Sequence, residues 1–223
     1  MRFRNRREAG RLLAKALDEY KGKQTVVYAL PRGGVVLGVE IAKHLHAPLD
    51  LIIPRKIGHP LYPEYAICAV TEGGHPVCNE EEVSRHDPKW FDQALKEARA
   101  EAVRRRLLYL EGRPAVPLHG KTAIIVDDGV ATGLTMLAAI QEAKDRGATE
   151  IVVAVPVLPA EVARELQGHA DKIVALEVAD NYLGAVGSYY DEFEQVSDEE
   201  VIELLNSMRR DHGSNRTNEG KTN

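Results

Sequence analysis

The chemistry-bearing residues concentrate in one run, Ala123-Ile124-Ile125-Val126-Asp127-Asp128-Gly129-Val130-Ala131-Thr132-Gly133-Leu134-Thr135. An apolar stretch delivers two adjacent carboxylates, and small and hydroxyl-bearing residues follow. If the stretch is a strand and a helix starts at Leu134, the turn aims backbone N–H groups and the Thr132 and Thr135 hydroxyls at one point, where the helix dipole also favours an anion. Ala131 to Thr135 would then cradle a phosphate monoester. Asp127 and Asp128 would repel phosphate but accept hydrogen bonds from vicinal hydroxyls of a sugar attached to it. The pieces describe a ribose 5-phosphate clamp. A strand ending in Asp-Asp can also simply cap the next helix. A second run, Leu30-Pro31-Arg32-Gly33-Gly34, weighs against that simpler reading: Gly33 and Gly34 let backbone N–H groups approach oxygens closely, and Arg32 adds a fixed positive charge suited to a polyanion.

The elements that must position these residues follow from periodicity. Arg6 to Tyr20 reads as an amphipathic helix capped by Asn5. Thr25 to Leu30 and Leu49 to Pro54 read as buried strands either side of a helix from Val35 to His46. Ala66 to Thr71 is a third apolar run, and Gly73-Gly74 predicts a turn into Pro76 to Asn79, which together read as a hairpin. Pro88 to Leu110 carries helical spacing. Lys121 to Asp127, Ile151 to Val157 and Lys172 to Val178 are strands alternating with helices over Leu134 to Arg146 and Pro159 to Gln167. A last helix, Asp198 to Met208, opens on a Ser197/Glu200 capping box. The fold class is therefore α/β, one domain with a mostly parallel sheet flanked by helices on both faces. Residues 1–210 form the domain, with a core at about 25–178 and a small hood at about 179–195; 211–223 are a polar tail expected to be frayed.

The run around Asp127 resembles the diphosphoribosyl-binding signature of the type I phosphoribosyltransferases: four apolar residues, two acidic ones, then a loop ending in Thr-Gly-x-Thr. It departs at Gly129, where an aliphatic residue is usual, so a freer backbone is expected there. The resemblance spans roughly Thr25 to Phe193. It implies 5-phosphoribosyl 1-diphosphate (PRPP) as donor and Mg²⁺ carried on that donor, with no metal ligand assigned to the protein. Asp127 and Asp128 fall on the ribose, Ala131, Thr132, Gly133, Leu134 and Thr135 on the 5′-phosphate, and Arg32, Gly33 and Gly34 on the diphosphate. Arg55 and Lys56 occupy the place where such proteins often set a basic residue on the diphosphate. Val178 to Phe193 resembles the segment that holds the nucleobase, which makes Tyr182, by stacking, and the Leu183 backbone the acceptor-binding candidates. Ala131 stands where enzymes acting on 6-oxopurines carry an aspartate, so hypoxanthine and guanine are disfavoured as acceptors. Catalysis would rest on Arg32, Asp127 and Asp128, with Ile57 to Tyr65 or Thr71 to His86 as a mobile cover.

Composition removes other classes. The 223 residues carry 29 Lys plus Arg against 34 Asp plus Glu, a net charge of −5 that gives no basic footprint for nucleic acid. The start lacks the apolar core of a signal peptide and no apolar run approaches the 18 or so residues that span a bilayer, so a cytoplasmic protein without membrane partner is expected. Cys68 and Cys78 read as free, reduced thiols. Arg104, Arg105 and Arg106 read as a solvated helix face. His44, His46, His59, His75, His86, His119 and His169 have no metal-site spacing. Tyr189, Tyr190 and Phe193 read as packing residues. The partners expected are PRPP and an unidentified nitrogenous acceptor, and a homodimer is compatible with the sequence. Two rivals remain: a non-catalytic PRPP-binding regulator, and a phosphatase or kinase using Asp127-Asp128, the latter without any Walker-type Gly-Lys-Ser/Thr to support it.

Overall fold

The structure, a computed structural model, describes residues 1–216 and their side chains as far as Met208. Five strands, β1 (Thr25–Ala29), β2 (Leu49–Leu51), β6 (Thr122–Val126), β7 (Glu150–Pro159) and β8 (Lys172–Ala179), form an all-parallel sheet in the order β2-β1-β6-β7-β8. Three short strands, β3 (Arg55–Gly58), β4 (Ala66–Val70) and β5 (Val77–Cys78), make a separate antiparallel sheet. The near-continuous apolar runs of the main sheet have a plain cause. Successive residues point to opposite faces, and both faces are covered. Val27, Ala29, Ile124 and Val126 enter a core shared with helices α1 (Arg6–Ala16), α2 (Gly33–Leu45) and α7 (Asp198–Arg216). Val26, Tyr28, Ala123 and Ile125 enter a second core under α5 (Leu134–Asp145) and α6 (Ala160–Gln167). Ile57, Cys68 and Val70 of the small sheet pack on Trp90, Phe91, Ala94, Leu95 and Ala98 of α4 (Pro88–Leu110). A short helix, α3 (Glu80–Ser84), precedes α4.

Both expected caps form. Glu8 N–H donates to the Asn5 side chain at 3.1 Å, and Ser197 and Glu200 exchange reciprocal bonds of 2.9 and 3.1 Å. Several expectations change. The first helix ends at Ala16, with a 3₁₀ turn over Asp18–Tyr20. Of the second sheet, the expected β4–β5 hairpin forms, but its third strand was not legible: β2 stops at Leu51, short of Pro54, and the polar, glycine-ended Arg55–Gly58 forms β3. Residues from Asp211 to Arg216 continue α7, and the remainder of the expected tail lies outside the described residues. Cys68 and Cys78 are not free thiols. The β4–β5 register sets them directly opposite each other, with Cα atoms 4.0 Å apart, and they are joined in a disulfide. Nor is Arg106 solvated. It reaches inward from α4 to Asp50 at 2.9 and 3.2 Å and to Glu72 at 3.2 Å, while Arg104 and Arg105 stay at the helix surface on Glu101.

Candidate active site

Strands β1 and β6 are neighbours in register, Ala29 beside Val126, so the two runs singled out in the sequence leave the sheet side by side. Their contact is closer than sequence alone conveys. A Cβ on Gly34 would stand 2.7 Å from the Val126 carbonyl oxygen, and one on Gly33 would stand 1.9 Å from Asp128 Oδ2. The glycines thus seat the first turn of α2 directly against the acidic pair. Leu30 N–H donates to the Val126 carbonyl at 2.9 Å, and the Pro31–Arg32 peptide that follows is cis.

Asp127 accepts the Asp128 backbone N–H at 2.8 Å. Its carboxyl is held well above the ordinary carboxylate range, first by burial and then by the charge of Asp128. Asp128 is also pushed up by burial, against the opposing pull of Arg6. That arginine is a neighbour of the candidate site that the sequence did not disclose. Arg6 Nε lies 2.7 Å from Asp128 Oδ2, its guanidinium stacks 3.7 Å from the centre of the Phe193 ring, and it donates to the Glu194 carbonyl at 2.7 Å. Tyr190 donates to the Asp128 carbonyl at 2.7 Å. Tyr189, Tyr190 and Phe193 are packing residues as expected, and Tyr190 and Phe193 also frame the acidic turn. Gly129 is not a looser point in that turn. A Cβ there would stand 2.5 Å from Val186, so glycine is what admits the chain segment after β8.

The remaining candidates fall into three places. Ala131 and Thr132 are exposed, Gly133 adopts φ +83° as the N-cap of α5, and Leu134 and Thr135 open that helix, giving the loop-to-helix form that the anion nest requires. Arg32 lies 3.7 Å from Asp198, which also accepts the Tyr109 hydroxyl at 2.6 Å. Arg55 opens β3, half-buried, in the electrostatic reach of Arg105 and Tyr109, and burial followed by the Arg105 charge lowers its pKa. The pKa of Tyr109 is pushed up to about 12 by burial and by Asp198, against the opposing charges of Arg105 and Arg32. Lys56, the next residue of the strand, is exposed and lines a surface cleft together with Arg55 and Glu101.

Tyr182 stacks on Tyr189 with ring centres 5.6 Å apart, and its hydroxyl is buried without a partner. Leu183 offers no spare N–H, because it donates to the Tyr189 hydroxyl at 3.0 Å; its side chain is 60% exposed. A cavity of about 770 Å³ between α1, α2 and α7 meets the acidic turn through Arg6, and its lining mixes Arg7 and Lys43 with Glu192 and Glu200.

The phosphoribosyl transferase domain model matches residues 4–192. The chain belongs to the phosphoribosyl transferase domain family. Two Mycobacterium tuberculosis proteins, MT0597 and Rv0571c, named provisionally as phosphoribosyl transferases, are each 42% identical over 211 residues, which is 94% of this chain. The chain spans about half the length of these curated relatives, 47% in each case. TT1426 of Thermus thermophilus, a solved structure, is 40% identical and superposes with a TM-score of 0.79 over 92% of this chain and 98% of that one. The expected fold class, a mostly parallel sheet flanked by helices in a phosphoribosyltransferase-like arrangement, is the one observed. Among the described residues no helix is long and apolar enough to cross a membrane.

Proposed function

We propose that this phosphoribosyltransferase domain moves a 5-phosphoribosyl group from PRPP to a nitrogen nucleophile, releasing diphosphate. The observation that supports the reading is the close approach of the Gly33-Gly34 turn to the Asp127-Asp128 pair, so that residues read as a diphosphate site and residues read as a sugar-hydroxyl site would be within one ligand's length. The 5′-phosphate would take the Ala131–Thr135 nest. Departure of diphosphate leaves an oxocarbenium-like sugar, so two opposite charges need stabilising. Arg32, the N–H groups of Gly33 and Gly34, and Arg55 face the leaving group. Asp127 and Asp128 lie on the cationic side. The Leu183 N–H carries less weight than its sequence position suggests, since it is engaged by the Tyr189 hydroxyl, and Lys56, exposed beside Arg55, is the more solvated of the two cations. Tyr182 stacks on Tyr189 by one ring face, so an acceptor would take the opposite face. Asp127, an oxygen donor that accepts one backbone N–H, fits the hard-oxygen preference of Mg²⁺, and an ion bound with the donor would supply charge neutralisation on its oxygens.

The decisive experiment incubates the protein with PRPP, Mg²⁺ and a panel of nucleobases and amines while diphosphate release is followed. Acceptor-dependent release supports the transferase. Silence across the panel with tight PRPP binding would instead establish the regulator, a reading favoured by the Arg6–Asp128 ion pair that already occupies one ribose-site carboxylate. Hypoxanthine and guanine should give no more than background hydrolysis, because Ala131 has no group to exchange a proton with the base.

A further inference from the structure

Histidines with no suggestive spacing in the sequence come together in the small sheet. His59 leaves β3, its N–H donating to the Tyr65 carbonyl at 2.8 Å and so fixing the base of the β3–β4 turn. Glu82 lies in α3 and His86 one helical turn further on, where the chain is still coiled, with His86 N–H on the Val83 carbonyl at 3.1 Å. One ligand atom from each of His59, Glu82 and His86 lies within 4.8 Å of the other two. The His59 and His86 rings meet edge to face, 4.6 Å between centres. A second observation concerns His86 itself. Its Nε2 is buried and has no hydrogen-bond partner, an arrangement that leaves a lone pair or a proton unsatisfied inside the protein.

We propose that His59, Glu82 and His86 form a binding site for a zinc-class transition dication, distinct from the Mg²⁺ that would accompany the donor. Two imidazoles and a carboxylate are a recurrent zinc donor set, and nitrogen ligands select zinc, cobalt or nickel over magnesium. The metal satisfies the orphaned His86 nitrogen. Glu82 is already oriented from outside, since Arg85 donates to its Oε1 at 3.1 Å and leaves Oε2 for the ion. His59 Nδ1 accepts the Leu61 N–H at 3.1 Å, which leaves the ring proton on Nε2; capture through Nδ1 displaces that contact, and capture through Nε2 moves the proton to Nδ1, where it opposes the Leu61 N–H and breaks the contact as well. Either way the metal restrains the loop bearing exposed Leu61, Tyr62 and Tyr65. The three ligands come from the two segments that the sequence marks as candidate covers, Ile57 to Tyr65 and Thr71 to His86, so the ion would clip one to the other and keep a coordination position for water.

Trp90, the chain's one tryptophan, provides the readout, because its ring centre is 5.5 Å from that of His86. Metal-stripped full chain is titrated with Co²⁺ while Trp90 emission is followed, then with Zn²⁺ in competition. One equivalent of Co²⁺ should quench the emission, Zn²⁺ should restore it, and millimolar Mg²⁺ should do nothing. His59→Ala and His86→Ala should each weaken Co²⁺ binding at least about tenfold. Zn²⁺ should raise the melting temperature of the wild type reversibly by EDTA, by roughly 5 °C at a hundredfold excess over its Kd, and leave that of His59→Ala unmoved. His75→Ala, which alters a different exposed His–Asp pair, should behave as wild type. Absence of quenching, quenching equal in both histidine variants and wild type, or an equal response to Mg²⁺ would overturn the site. If His86→Ala fails to fold, His59→Ala and the EDTA-reversible melting shift of the wild type still decide the matter.

Discussion

Two places in this sheet withdraw aspartates from solvent, Asp50 within β2 and the Asp127-Asp128 pair just after β6, and they are treated differently. Asp50, in edge strand β2, has every near partner a structural carboxylate needs: Arg106 at 2.9 and 3.2 Å, the Val116 N–H at 2.8 Å and the Leu51 N–H at 2.7 Å. At the end of central strand β6, Asp127 and Asp128 share one arginine, Arg6, and Asp127 accepts one backbone N–H. The first site is closed by the protein. The second keeps negative charge and acceptor capacity in surplus, which is what a site waiting for hydroxyl groups requires.

The difference can be tested from both ends. The largest effect should come from Arg106→Ala, which removes the arginine shared by Asp50 and Glu72 and leaves Asp50 with two backbone N–H groups and Arg146 at 4.0 Å; about 3–5 kcal/mol of folding stability should be lost, measured by urea denaturation. A loss below 1 kcal/mol would mean that Asp50 is as open as the β6 pair. Next, replacing both Asp127 and Asp128 by Ala should lower PRPP affinity by about tenfold or more in calorimetry, the scale of one lost charged hydrogen bond. Inorganic phosphate binding should survive, because the nest is intact. Unchanged PRPP affinity in the folded variant would remove the carboxylates from the ribose site. Third, Arg32→Ala should reduce turnover about tenfold more than it reduces PRPP affinity, a transition-state preference near 1.4 kcal/mol, because its charge matters most as diphosphate departs.

The smallest effect is on stability and has the opposite sign from the first. Asp127→Asn should stabilise the unliganded protein at neutral pH, on the order of 1 kcal/mol. The sign follows from the raised folded pKa of Asp127. Wild-type stability from this group is fully present below the unfolded value of 3.8 and is lost as pH rises through the higher folded value. The advantage of the asparagine variant should therefore grow with pH across that window and vanish in acid. A variant equally or less stable at neutral pH would show that Asp127 is as well satisfied as Asp50.

Legibility in the sequence followed the range of the interactions. The Asn5 and Ser197 caps, the strand β6 and helix α4 were readable because each is fixed by residues within a turn or by a hydrophobic period. The glycines at 33 and 34 were readable as a turn, but the reason for them, contact with Asp128 and Val126, was not. Strand β3 escaped because four residues, two of them cationic and one glycine, carry no strand signal until β4 supplies hydrogen bonds.

The sequence by itself determined an alternating α/β chain, the acidic turn after β6, the glycine turn after β1 and the loop leading into α5, since these depend on local periodicity and on the steric demands of single turns. Only the tertiary structure decided that Arg6 closes on Asp128 across 122 positions, that Arg106 leaves the helix surface for Asp50, that Cys68 faces Cys78, and that His59 meets Glu82 and His86. Those partnerships join residues with no fixed spacing. They arise when packed helices and a second sheet bring remote side chains into a low-dielectric interior, where an unpaired charge or ring nitrogen is costly enough to select its partner.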